Sequence, residues 1–311
     1  MLKQDIKRGR VVKSKQQDVA GCLSLGEGLH TSRRAGSLGP NRRPQMQQAE
    51  DFRQETRALH KLVSTLPASA FTEPTQFKGW TAVDVIRHLH FWNRMAHFQL
   101  SAPDKLVDHL KTMQARGITM RAYEAEQFGD LSPEQLVDQW AAFAEEAADL
   151  FATADPKARL KWAGPDMSAR SSITARLMET WAHGQEIYDH AGVVRRNEDR
   201  IGNIVTLGVN TFGWTYATRR ETPPGPMPHL VLTAPSGAAW RHGEASEAER
   251  IEGLAEEFCQ VVTQTRNVAD TGLVVTGAVA QDWMSKAQCF AGAPNPPPAP
   301  GTRYTRTAAQ A

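Results

Sequence analysis

The chain is poor in cysteine. Three residues in 311 (Cys22, Cys259 and Cys289) show no paired spacing, which argues against a disulfide framework and for a reducing, cytoplasmic compartment. It also lacks any apolar run of about eighteen residues, so no membrane span is expected. The basic opening MLKQDIKRGRVVKSK is not followed by an apolar stretch, and no secretory signal is read there. No internal repeat is visible. Residues 1–45 hold ten Lys and Arg against three acids but no aromatic residue that could stack on a base. They read as a disordered basic leader rather than a nucleic-acid or membrane arm, and Met46 is an alternative start. Because the whole chain carries only +2, residues 46–311 are acidic by five, which gives no reason to expect nucleic-acid binding.

What is present is a soluble, globular balance of 41% apolar and 23% charged residues. Phe52, Leu59, Leu62, Val63 and Leu66 recur at helical spacing and are closed by Pro67. Thr81 is a good helix cap, with Asp84 where Glu or Gln would complete a capping box. Val85, Leu89, Trp92 and Ala96 form one side of the helix it starts. Residues 103–129 read as a helix weakened at Gly117. Ser132-Pro133-Glu134-Gln135 opens a further helix, with Leu136, Trp140, Phe143, Ala147 and Leu150 inward. Ser171 or Ser172 is expected to cap the next, which ends at Gly192, and another runs over about 199–219. At TPPGPMP (222–228) the texture changes. HLVLTA-PSG-AAWRHG predicts a hairpin, 247–264 a helix, LVVTG a strand in the same sheet as HLVLTA, and 278–290 a closing helix. The expected architecture is mainly α: a helical bundle over 46–221, a small α+β domain over 229–290, and a disordered proline-rich tail over 291–311.

Glu179 and His183 stand four apart in METWAHG and so share one helix face, where a carboxylate and an imidazole can hold one metal ion. A third ligand is needed, and His88 and His90 are the candidates. His88 shares the stripe of Val85, Trp92 and Met95 that faces the bundle interior. His90 is turned about 200° away at 3.6 residues per turn, toward a more exposed side, so His88 is chosen. An i,i+4 Glu–His pair is also a common solvated surface contact, and spacing alone does not separate the two.

The stretches FKGWTAVDVIRHLHFW and RLMETWAHGQEIYD resemble the mycothiol-dependent maleylpyruvate isomerase and DinB-like metalloprotein superfamily. The resemblance covers about residues 48–300. ARSSITARLMETWAHGQ and AQCFAGAPNPPPAPGTR are most similar to an uncharacterised metal-binding subgroup sometimes labelled as wyosine-base-formation proteins. The resemblance implies a DinB-like four-helix bundle, a sterol-carrier-like α+β domain after it, and zinc (or another divalent metal) on His88, Glu179 and His183. It further implies a thiol co-substrate (mycothiol, bacillithiol or glutathione) and an isomerase or S-transferase acting on a small molecule. Two histidines and one carboxylate leave an open coordination position, which suits either water activation or thiolate binding.

Other residues carry two readings each. Trp80 and Trp92 either wall the pocket or pack the core. Arg176 either holds a carboxylate or orients Glu179, or is a solvated helix arginine. His190 is a candidate fourth ligand, and Arg241 and Arg266 are candidates to reach an anionic substrate. Cys259 reads as a buried, inert thiol. Two other functional readings stay open: a non-catalytic metal or apolar-ligand binding protein on the same scaffold, and an RNA-modification accessory, against which the acidic body argues.

Overall fold

Residues 45–307 are described by the computed structural model of the chain. The leader expected over 1–45 lies outside the described residues save for Gln45, and so do tail residues 308–311. Four long helices build a bundle: α1 (Gln47–Val63), α2 (Ala82–Ser101), α5 (Pro133–Thr153) and α6 (Ala169–His190), with α1 and α2 each packed on both α5 and α6. The α2 cap is a full capping box: Thr81 N–H donates to Asp84 Oδ2 at 2.9 Å and Asp84 N–H to Thr81 Oγ1 at 3.2 Å, so Asp does here what Glu or Gln usually does. Ser132 and Gln135 close the same motif on α5. α6 begins earlier than expected, because Ser168 and not Ser171 or Ser172 caps it.

Between α2 and α5 lie α3 (Pro103–Arg116) and α4 (Met120–Phe128). The single weakened helix expected over this stretch is broken outright, because Gly117 turns left-handed at φ 59° and Thr119 caps a new helix. A two-stranded ribbon, β1 (Arg159–Leu160) with β2 (Met167–Ser168), joins α5 to α6. The helix expected over 199–219 is likewise divided, into α7 (Gly202–Asn210) and α8 (Phe212–Ala217) after a short 3₁₀ turn.

The second half is α+β. Strands β3 (His229–Thr233), β4 (Ala239–His242), β5 (Arg250–Leu254) and β6 (Val274–Thr276) form one sheet in the order β4-β3-β5-β6, accompanied by α9 (Ala255–Val262) and α10 (Ala278–Met284). The predicted hairpin is present, with Leu230 opposite His242. HLVLTA and LVVTG share the sheet but do not touch, since β5 lies between them. That strand corrects the helix expected over 247–264. Ile251 pairs in register with Leu230 and is fully buried, and Gly253 at φ 143° cannot continue a helix.

The fold class read from the sequence, mainly α with a helical bundle ahead of a small α+β part, is the one observed. One apolar cluster holds Leu59, Ile86, Leu89 and Trp140 inside the bundle. Another runs from Phe52, Leu177 and Trp181 through Ile204 to Phe258 and Trp283, so α6 and α7 carry the core from the bundle into the sheet. Burying Phe52 or Leu59 contributes about 1.5–3 kcal/mol each.

The tail expected to be disordered has a defined course over 291–307. Asn295 N–H donates to Gln288 Oε1 at 3.0 Å, Tyr304 N–H to Gln76 Oε1 at 2.8 Å and Arg306 N–H to the Asp189 carbonyl at 3.0 Å. Polar bonds rather than an apolar stripe hold it, which is why periodicity missed it.

Candidate metal centre and its cavity

Packing of α2 against α6 brings the three candidate ligands together. His88 Nε2 lies 3.6 Å from Glu179 Oε2, and His183 Nε2 lies 3.4 Å from the same oxygen. One ligand atom from each of the three lies within 4.8 Å of the others. The i,i+4 spacing on α6 sets the Glu179–His183 half, and the Val85–Trp92 stripe of α2 sets His88.

The rest of the geometry fits a cation. His88 Nδ1 lies 2.9 Å from Glu124 Oε1 on α4. When the Nδ1 proton is donated to that carboxylate, the Nε2 lone pair faces Glu179. A lone pair and a carboxylate oxygen then face each other across 3.6 Å, an arrangement that needs a proton or a metal ion between them. Burial alone would lower the proton affinity of His88, but Glu124 and Glu179 outweigh it and raise its pKa to about 9. His183 is shifted the other way, chiefly by burial. Glu179, despite burial, is held well below the usual carboxylate range by His183 and His88.

Aromatic rings fix the imidazoles. The Trp80 ring stacks on His183 with centroids 5.6 Å apart and planes within 1°, and Phe77 meets His183 edge-on. Trp80 is aimed by the tight turn Phe77–Lys78–Gly79, in which Lys78 and Gly79 both have positive φ and Trp80 N–H closes on the Phe77 carbonyl at 2.8 Å. Trp92 Nε1 donates to Glu124 Oε1 at 3.0 Å, so it holds the carboxylate that faces His88 as well as forming part of the cavity wall.

The triad opens on a cavity of about 610 Å³ whose wall includes Trp80, Trp92, Trp162 and Trp214 together with Arg176. A second cavity of about 430 Å³ shares Glu179 and His183 with it and is lined by more polar groups, among them Glu186, Gln264 and Arg303. Burial and the nearby Asp189 push the Glu186 carboxyl well above its ordinary range despite Arg303.

The other sequence candidates fall outside the centre or change role. His90 is buried, not exposed: its ring stacks on Phe128 at 4.6 Å and meets Phe143 edge-on, and burial with Arg94 nearby lowers its pKa to about 4. The α2 face opposite the triad is covered by α4 and α5, which sequence rotation alone could not show. His190 ends α6 with Nε2 3.5 Å from Glu73. Arg266 is closed on Asp189 by bonds of 2.7 and 2.6 Å, and Arg241 is exposed on β4; neither lines the two cavities. Cys259 is fully buried, and burial pushes its thiol well up. Glu124, Trp162 and Trp214 were not anticipated. Glu124 carries no motif signal, because its partner lies 36 residues away in sequence.

The model of the mycothiol maleylpyruvate isomerase N-terminal domain matches residues 52–188, a span that holds all three triad residues, Glu124 and Arg176. Two uncharacterized proteins of Mycobacterium tuberculosis, from strains CDC 1551 / Oshkosh and ATCC 25618 / H37Rv, are 37% identical over 246 residues, covering 78% of this chain and 95% of each relative. The chain belongs to the mycothiol maleylpyruvate isomerase N-terminal domain family. Crystal structures of the mycothiol-dependent maleylpyruvate isomerase and of a histidine-to-alanine mutant of it match over 69% of this chain and 87% of theirs, at 17% identity and a TM-score of 0.46. No described helix is long and apolar enough to cross a membrane.

Proposed function

We propose that His88, Glu179 and His183 hold one divalent metal ion, zinc by its donor set, and that the protein is a thiol-dependent isomerase or S-transferase acting on a small molecule in the adjoining cavity. The observation that carries this reading is the convergence of two imidazole Nε2 atoms and one carboxylate oxygen at the wall of that cavity. Family membership supports the thiol. The bound ion would supply an open position that favours a deprotonated sulfur.

The chain's own residues do the rest. Glu124 fixes the His88 tautomer and ring direction, and Trp80 holds the plane of His183. The tryptophan walls give a planar or apolar substrate a surface from which water is excluded. The polar second cavity offers hydrogen-bonding groups for the body of a hydrophilic thiol such as mycothiol, bacillithiol or glutathione. The same tryptophan wall favours one alternative, a non-catalytic binder of an apolar ligand.

The test is metal analysis of the purified full chain, followed by calorimetric titration of each thiol. Stoichiometric zinc, lost in His88→Ala, Glu179→Ala or His183→Ala, and affinity for one of the thiols are the expected results. Zinc without thiol affinity favours the binding protein. No metal in the wild type, or an Ala variant that still binds it stoichiometrically, overturns the site.

A further inference from the structure

A smaller cavity of about 230 Å³ adjoins the tryptophan-lined one. The two share Trp162, Arg176, Glu179 and Trp214, so the smaller continues the larger past the triad's carboxylate. Met167, Met178, Leu207 and Cys289 line the smaller cavity alone. Met178 and Cys289 are buried and Leu207 is half-buried. The space exists because α6 is thin there. Ala175 and Ser171 stand one and two turns before Glu179 on the same helix face, and a longer side chain at 175 would occupy it. The polar groups around it are already bonded within the protein. Thr211 Oγ1 donates to the Leu207 carbonyl at 2.8 Å, Trp214 Nε1 to the Phe290 carbonyl at 3.2 Å, and the Ser171 hydroxyl pairs with that of Ser168 at 2.9 Å. Burial pushes the Cys289 thiol up and keeps it neutral. Apart from Asp166, which Lys161 meets at 3.2 Å, the charged lining is Arg176 and Glu179, both shared with the larger cavity.

We infer that this pocket seats an apolar arm of the substrate, a group of about the size of a benzene ring, while the reacting end lies at the triad. An apolar cavity of about 150 Å³ stays dry and encloses benzene, so one of about 230 Å³ holds a ring with a short linker. A hydrogen-bonding occupant would give up its water partners and meet donors and acceptors that are already paired. A hydrocarbon gives up nothing. Two methionines let the walls adjust to the shape of the arm. The inference deepens the reading above, resting on it for the larger cavity being the reaction site. It adds that the substrate is amphipathic, with an apolar end that does not react. Ala175 and Leu207 are specificity-determining residues here, since their size sets what the pocket accepts.

The test has two arms, both by calorimetry on the full chain. Toluene, which needs no metal, should bind the wild type whether metal-loaded or metal-stripped. Filling the pocket by Ala175→Phe or, independently, by Leu207→Trp should abolish that binding with metal content unchanged. In the second arm, acetohydroxamate is compared on metal-loaded protein with phenylaceto- and hydrocinnamohydroxamate, whose common head group suits an open metal position. Burying the ring predicts that at least one aryl probe binds about 10–100-fold tighter than acetohydroxamate, and that either filled variant loses the gain but still binds acetohydroxamate. The wild-type comparisons need no variant to fold. No toluene binding to the wild type, or toluene binding that survives both filled variants, would overturn the proposal, the latter because the ring would then lie on the tryptophan wall. Toluene bound in the pocket with no aryl gain on metal-loaded protein also overturns it, since the pocket would then be out of line with the triad. A wild type that takes up no metal but binds toluene in a way that either filled variant abolishes sinks the metal reading and leaves the apolar pocket standing.

Discussion

Replacing Glu124 by Gln is the perturbation that best separates a built metal centre from a fortuitous cluster. Glu124 is 1% exposed, and one of its oxygens, Oε1, receives both His88 Nδ1 at 2.9 Å and Trp92 Nε1 at 3.0 Å. Gln keeps a carbonyl oxygen of the same shape, so both bonds can persist and the helix contact survives. What disappears is the negative charge behind the imidazole. That charge makes His88 a stronger donor ligand, and carboxylates in this role typically contribute 10–100-fold in metal affinity, or about 1.4–2.8 kcal/mol. Two charge-assisted bonds become ordinary ones, a loss of similar order. Zinc affinity measured against a competing chelator should therefore fall by about 10–100-fold in Glu124→Gln, while the protein stays folded with a thermal midpoint lower by a few degrees. His88→Ala, by contrast, should empty the site. Unchanged affinity in Glu124→Gln would refute the reasoning, for it would mean that the His88–Glu124 bond serves packing alone.

Two further outcomes follow from the structure. His90→Ala should leave metal content intact yet lower stability by about 2 kcal/mol or more on urea unfolding, because it empties a ring-sized space between Phe128 and Phe143; metal loss in that variant would place His90 in the centre. Glu55 is buried where Arg200 Nε reaches it at 2.6 Å and Arg195 reaches its other oxygen, and despite burial the two guanidiniums hold its carboxyl below the ordinary 4.5. Its contribution is complete above that value and is lost as pH falls through the lowered pKa, so Glu55→Gln should cost about 3–5 kcal/mol at neutral pH and show a flatter acid limb in thermal unfolding than the wild type; parallel limbs would count against the pair.

The bundle was legible because its helices announce themselves locally. Thr81, Ser132 and Pro133 mark starts, Gly117 and Gly192 mark ends, and the stripes of α2 and α5 show a clear apolar face. The errors fall where a local pattern has two outcomes. IEGLAEEFCQVV reads as one amphipathic helix until Gly253 is given weight. Gly is unfavourable by about 1 kcal/mol inside a helix but fits the end of a strand, and Ile251 gains a partner in Leu230 only as a strand. The tail PNPPPAPGTRYT has no periodicity to read, since its course is set by bonds to Gln288, Asp270 and Gln76, residues no sequence rule links to it.

The grouping of the three candidate ligands was legible for a different reason. α6 is polar in sequence, yet it buries Arg176, Thr180, Gln185, Glu186 and Asp189 along with its apolar residues. Buried polar groups cost free energy unless they are partnered, so a helix of this kind is retained where the groups have something to bind. Gln185 donates to Asp189, and Asp189 receives Arg266 and Thr305, which accounts for Asp189 as structural. Toward the N-terminal side the accounting stays open: Glu179 faces two imidazoles and Arg176 faces a cavity. Spacing identified the face that these residues share. Only the packed structure separates the residues of α6 whose charges close on the protein, such as Asp189, from those that face a cavity, such as Glu179 and Glu186.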